Sequence, residues 1–298
     1  MIGRITLKRA IKQTAGRAAV LAKLFTWPSV CPKACIFFYH RIADAGFVDP
    51  RLDDWNVPPS VFDQQIRALA AFAEFVPLLE LPHRLRISGG SAKPLVCLTF
   101  DDGYANFYTQ ALPILNRYRA PATAFVVTSL IGQKEPLPFD SWSQKNRSRV
   151  PPEAWRSMDW TDLEACVASG LVTIGAHSHS HLKGRECTQT QLIEEAEESR
   201  AILRSRLGEA QARAYAYPYG STRLGQVSPD YARTVRTAGY ELAVTTDLGL
   251  ARADTDPYLL PRIEAHALDT PSVLHAKTVG ALAPYYLTDH LRTVKRAL

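Results

Sequence analysis

Leu98-Thr-Phe-Asp-Asp-Gly-Tyr104 joins an apolar run to two adjacent carboxylates and a glycine. Val96, Leu98 and Phe100 read as part of a short buried strand. Neighbouring residues on a strand point to opposite faces. At the strand's end, however, a turn at Gly103 can bring Asp101 and Asp102 to the rim of one pocket. Two carboxylates that close repel unless a cation or a proton lies between them. One chemical solution is that one acid holds a metal and the other serves as a base. The bland alternative is a solvated Asp-Asp-Gly turn, since turns favour both residue types.

Outward from this stretch, strands and helices alternate. Ala34 to Ile42 is an apolar run that predicts the first strand, with His40 near its C-terminal end. Ser60 is expected to cap a helix reaching about Phe75, with Phe62, Ile66, Leu69 and Phe72 on its apolar side. A helix over 107–118, a strand over 122–127, a helix from Trp160 or Thr161 to Gly170 and a strand over 171–175 follow. Residues 132–158 hold several prolines, Trp142 and Trp155, and no clean period. They predict an inserted loop over the site, where aromatic rings can stack on sugars. Thr188 and Gln191 predict a capping box for a helix over 189–207 that Gly208 closes. A strand over 213–217, a helix over 229–238, a strand over 242–245 and a last helix over 271–279 complete the pattern. Alternation of this kind predicts an α/β barrel whose chemistry sits at the C-terminal ends of its strands.

The chain has 298 residues, 46% hydrophobic and 21% charged, enough for one barrel with a large core. Its net charge of +6 is uneven. Residues 1–43 carry eight Lys/Arg and no acid, leaving 27 of the 35 bases against all 29 acids. The globular part is therefore not a basic nucleic-acid binder. The basic segment predicts an amphipathic helix over 1–33, with Leu7, Ile11, Ala15, Ala18, Ala22 and Phe25 in one stripe. Such a helix can rest on an anionic membrane through residues 1–25, or pack across the barrel's bottom. Five scattered cysteines without a CxxC pair read as free thiols in a reducing compartment. No run approaches the roughly 18–20 apolar residues of a membrane span, and the N-terminus makes a poor signal peptide. The expected location is cytoplasmic, at the inner face of the membrane if the helix docks there.

His177-Ser-His-Ser-His181 follows another predicted strand. His177 and His181, four apart, can share one face of a helical turn or meet in a tight loop. Imidazoles with one carboxylate make a three-ligand open metal site. His179 is expected to face away or to support the ligands. Pro218-Tyr219-Gly220 is a rigid turn whose backbone N–H groups can face an anion.

In this order, Thr99-Phe-Asp-Asp-Gly103, His177-Ser-His-Ser-His181 and Tyr217-Pro-Tyr-Gly220 resemble the NodB-type polysaccharide deacetylases of carbohydrate esterase family 4. The resemblance spans about residues 35–280, within a domain set at 34–298. It implies a distorted (β/α) barrel of seven or eight strands and metal-dependent removal of N-acetyl groups from amino sugars. It also implies Asp101 as base, Asp102, His177 and His181 as metal ligands, and the Tyr219 N–H at an oxyanion site. The ion would be Zn²⁺, or else Co²⁺, Ni²⁺ or Fe²⁺. The chain departs from the family in three places. Tyr215 stands where an Arg usually steadies the base, and Arg262 in Leu-Pro-Arg-Ile is the candidate substitute. The Asp-Trp motif is absent, with Thr246-Asp247 in a similar place. The late Leu-x-His that supplies the acid is matched poorly by Leu274-His275. Tyr39-His40 is similar to the Tyr-His of poly-N-acetylglucosamine deacetylases, which assigns His40 as general acid. The substrate implied is an N-acetylated glycan or a lipid-linked amino sugar, N-acetyl or N-formyl. A glycan-binding pseudoenzyme and a membrane-surface interaction protein stand as alternatives.

Overall fold

The computed structural model describes residues 33–44, 55–87 and 93–281. The predicted N-terminal amphipathic helix lies outside the described residues. The strands are β1 (Lys33–Tyr39), β2 (Glu74–Phe75), β3 (Leu95–Phe100), β4 (Ala122–Val126), β5 (Val172–Ala176), β6 (Ala214–Ala216), β7 (Leu242–Leu248), β8 (Ala251–Arg252) and β9 (Leu260–Glu264). The α-helices are α1 (Pro59–Phe72), α2 (Leu81–Ile87), α3 (Leu112–Tyr118), α4 (Ser141–Asn146), α5 (Trp160–Ala168), α6 (Gln189–Leu207), α7 (Pro229–Thr237) and α8 (Pro271–Thr278).

Seven parallel strands close a barrel in the order β1-β3-β4-β5-β6-β7-β9, with β9 pairing back onto β1. Two short strands lie outside the ring: β2 runs parallel to β3, and β8 antiparallel to β1. This is the distorted (β/α) barrel expected from the sequence.

Period-two alternation divides the core. Ala34, Ile36, Leu95, Cys97, Phe125, Ala214, Ala216, Leu242, Val244 and Leu260 fill the barrel interior. Their neighbours Cys35, Phe37, Val96, Leu98, Ala122, Ile174 and Ala243 face the helices instead, against Phe62, Ile66, Leu69, Leu115 and Leu203. Room inside is tight: a Cβ on Gly175 would stand 2.6 Å from the Phe125 ring.

Several local expectations need correction. Ser60 caps nothing: α1 begins at Pro59 after Pro58, with no side-chain cap, because proline presets the first-turn φ. The helix expected over 107–118 opens as a π turn, Phe107–Ala111, before α3. The 132–158 insertion holds α4 and a 3-10 turn at Pro152–Ala154. β7 runs to Leu248 across a register shift that the sequence pattern does not signal. The capping box of Thr188 and Gln191 on α6 is present with both reciprocal bonds. Among the described residues, four cysteines are free thiols and no helix is long and apolar enough to cross a membrane.

Candidate active site and metal centre

The sequence-predicted residues meet in a cavity of about 630 Å³ at the C-terminal mouth of the barrel. His40, Asp101, Asp102, His177, His181 and Tyr219 all line it. Asp101 continues the interior face of β3. Asp102 would point away on a straight strand, but it adopts φ +70°, as does Gly103. That reversal swings its carboxylate to the same mouth. Gly103 is required there, since a Cβ would come within 2.9 Å of Val126 Cγ1.

Asp101 is gripped from a strand two places along the ring, with only β1 between. Arg262 on β9 donates from Nη1 to Oδ1 and from Nη2 to Oδ2, both at 2.7 Å. Arg262 also donates to Thr99 Oγ1 at 3.1 Å and to the Thr245 carbonyl at 2.9 Å, and its guanidinium lies 4.7 Å from the Phe38 ring centroid. Burial alone would raise the Asp101 pKa, but the charges of Arg262 and His177 and the Arg262 hydrogen bonds bring it below the usual carboxylate range. Asp101 is thus an ionised, oriented acceptor.

Asp102, His177 and His181 offer ligand atoms that all lie within 4.8 Å of one another. Asp102 Oδ1 is 3.5 Å from His177 Nε2 and 3.4 Å from His181 Nε2. His177 Nδ1 is 2.8 Å from the Ala216 carbonyl oxygen, an acceptor, so Nδ1 carries the proton. Burial lowers the His177 pKa to about 4, against the opposing pull of Asp101, so the ring is neutral at pH 7. Its Nε2 lone pair then faces a carboxylate oxygen, a repulsive pairing without a cation between them. Tetrahedral Zn²⁺ with bonds of about 2.0–2.1 Å places ligand atoms about 3.4 Å apart. The three residues therefore fit a divalent ion in both donor chemistry and spacing.

His40 stands just past β1, its ring 4.5 Å from Trp55 and 5.8 Å from Phe38 between centroids. Burial lowers its pKa, while Asp102 and Asp101 pull the other way. His275 lies elsewhere, stacked on Phe72 at 4.4 Å. The backbone N–H of Tyr219 makes no hydrogen bond among the described residues, and its φ is +58°. Asp247 does not reach Asp101. It accepts from Ser221 Oγ at 3.2 Å and from Thr222 Oγ1 at 2.5 Å, which ties down the turn after Tyr219. His179 turns away from the ligands and bonds Thr128 Oγ1 at 2.9 Å.

The insertion supplies residues that sequence patterns do not single out. Phe139 stacks on His181 at 3.7 Å and Asp140 lines the cavity, beside Trp142, which the sequence does single out. Arg41, next to His40, is buried. It pairs with Asp140, donates from Nε to the Ala154 carbonyl at 2.6 Å and lies 4.1 Å from the Trp142 ring centroid. The signal for Arg41 was a charge at the end of an apolar strand, where burial demands a partner.

The polysaccharide deacetylase family profile matches residues 88–243, just over half of the chain. The chain belongs to that family. A poly-beta-1,6-N-acetyl-D-glucosamine N-deacetylase of Staphylococcus aureus is 24% identical over 243 residues, 76% of each protein. The Streptococcus pyogenes deacetylase PplD in complex with acetate superposes with a TM-score of 0.67 at 24% identity, covering 83% of this chain and 99% of that one. IcaB from Ammonifex degensii gives 0.64 at 24% identity, over 85% and 99%. The barrel is thus a polysaccharide deacetylase barrel in sequence and in fold.

Proposed function

We propose that this polysaccharide deacetylase removes N-acetyl groups from the amino sugars of a poly-N-acetylglucosamine-like glycan, using a divalent metal ion. The observation that carries this is the convergence of a metal-competent Asp102–His177–His181 set with an Arg262-held Asp101 in one cavity. The name of the Staphylococcus aureus relative supports the substrate class. A bound divalent ion supplies a Lewis acid that polarises a carbonyl and lowers the pKa of water.

The side chains do the rest. Each Asp101 oxygen keeps a lone pair free of Arg262, and the carboxylate takes the proton of the attacking water. The Tyr219 N–H faces the acyl oxygen as negative charge develops there. An amide nitrogen leaves poorly unless protonated. His40 gives it a proton as the C–N bond breaks, which releases acetate and the free amine. Trp55 and Trp142 offer apolar faces for the sugar. A catalytically weak glycan binder has less support, because Arg262 supplies the contact that Tyr215 cannot.

The test is acetate or formate release from a panel of polymeric and lipid-linked N-acyl sugars, with Zn²⁺, Co²⁺, Ni²⁺ or Fe²⁺ added to chelator-treated protein. Acetate from the polymer is expected, and it should vanish in Asp101→Asn with the ion retained. Release by Asp101→Asn at the parent's rate would refute the assignment.

A further inference from the structure

The loop from β5 to α6 carries both candidate histidine ligands in a demanding backbone. Ser178 and His181 adopt φ of +62° and +61°. Residues with a Cβ rarely take that conformation, and it persists only where the surroundings over-determine it. Much of what holds it comes from one side chain that does not line the cavity. Glu195 on α6 is only 6% exposed. Its Oε2 accepts from the backbone N–H of His179 at 2.9 Å and of Ser180 at 2.7 Å. Those two N–H groups lie between His177 and His181, so a single oxygen fixes the curvature of the segment joining them. Smaller ties add to it: Ser178 Oγ accepts from the His181 N–H at 2.9 Å, and Thr128 Oγ1 meets His179 Nδ1 at 2.9 Å.

We propose that Glu195 is a positioning residue whose carboxylate pre-forms the ligand loop and thereby sets the affinity of the site for its ion. The proposal rests on the metal-site reading above. Without the clamp, the His179 and Ser180 N–H groups lose their acceptor and the loop populates conformations in which the imidazoles diverge. Apparent affinity falls with the fraction of protein in the competent conformation.

The test uses the full chain, with Zn²⁺ binding measured by competition against a chromophoric chelator and the Co²⁺-loaded protein read by its visible absorption spectrum. Glu195→Leu is expected to weaken Zn²⁺ binding by about 10–100-fold, the usual range for losing an outer support of a metal site. It should also alter the Co²⁺ bands. Glu195→Gln keeps an oxygen at the same position and should recover most of that affinity. Activity that Glu195→Leu loses at low Zn²⁺ should return as Zn²⁺ is raised. Should Glu195→Leu fail to fold, Glu195→Asp carries the same expectation, its oxygen one methylene short of the two N–H groups. Zn²⁺ binding by a folded Leu or Asp variant at the parent's affinity would overturn the proposal, as would a Gln variant no better than Leu. If the parent itself binds no Zn²⁺, the metal-site reading fails instead, and the two failures are separate.

Discussion

Arg262→Met tests the most consequential contact in the site. The guanidinium is fully buried and Asp101 nearly so. Methionine fills the stem of the arginine but returns none of its bonds to Asp101, Thr99 or Thr245. An exposed pair would be worth about 0–1 kcal/mol. Removing one partner of a buried pair costs about 3–5 kcal/mol, because the other charge is left uncompensated. The deficit has a signed pH dependence. In the parent, the Asp101 pKa lies below the ordinary range, so its contribution is full above that range and is lost as pH falls. In the variant, burial is no longer opposed by Arg262, the Asp101 pKa rises, and the acid can discharge itself by taking a proton. The loss should therefore be largest at pH 8 and smaller at pH 5. Urea unfolding of metal-free parent and variant at the two pH values measures it. The acid limb of kcat/KM should also move to higher pH. A deficit under about 1 kcal/mol at pH 8, or one equal at both pH values, would show that Arg262 does not hold Asp101 as described.

Three further outcomes are expected. His40→Ala should lower kcat by about 10²–10⁴-fold with little change in KM, the span for losing a general acid, and steady-state kinetics would read it. Zn²⁺ at 100 times its Kd should stabilise the protein by about 2.7 kcal/mol in thermal or urea unfolding. Asp102→Asn or His181→Ala should erase that gain; a gain that survives either change places the ion elsewhere. His177 is buried and neutral, with its pKa lowered to about 4, so the unfolded chain binds the extra proton first as pH falls. Metal-free protein should accordingly lose about 3 kcal/mol between roughly pH 6.5 and 4, with no further loss from this group below that. A flat stability curve across the window would contradict it.

Much of this architecture is legible in the chain because local rules act without competition. The Thr188/Gln191 box starts α6 where expected, and strand ends carry Asp101, Asp102 and His177 to one mouth. The failures have local causes too. Pro58 and Pro59 preset the entry of α1, so the hydroxyl of Ser60 is two positions past the N-cap and cannot cap it. Arg41, Asp140, Phe139 and Glu195 act through contacts spanning from about 15 to 100 residues of sequence, which no periodicity encodes. Glu195 in particular hides among Glu194, Glu197 and Glu198, reading as one more acid on a charged helix until the fold buries it.

Strand parity explains how an arginine from a different strand can reach Asp101. Ala214 and Ala216 face the barrel interior, so Tyr215 between them faces outward. There its hydroxyl meets that of Tyr231 at 2.8 Å and its ring packs against Tyr240. An arginine at position 215 of β6 in this register would enter that helix-side layer and could not reach Asp101. On β9, Leu260 faces inward, and two residues later Arg262 must do the same. On β1 the inward series is Ala34, Ile36, Phe38 and then His40, which places the guanidinium over Phe38 and the imidazole one step nearer the mouth. β9 pairs with β1 and β1 with β3, so Arg262 lies one strand removed from Asp101 across the closed ring. Thr99, on the inward face of β3, accepts from Arg262 Nη1 at 3.1 Å, and the Phe38 and Phe125 rings lie 4.7 and 5.9 Å from the guanidinium. Closure of the ring is thus what brings residues 161 positions apart into a bidentate contact, a proximity that linear motif order does not convey.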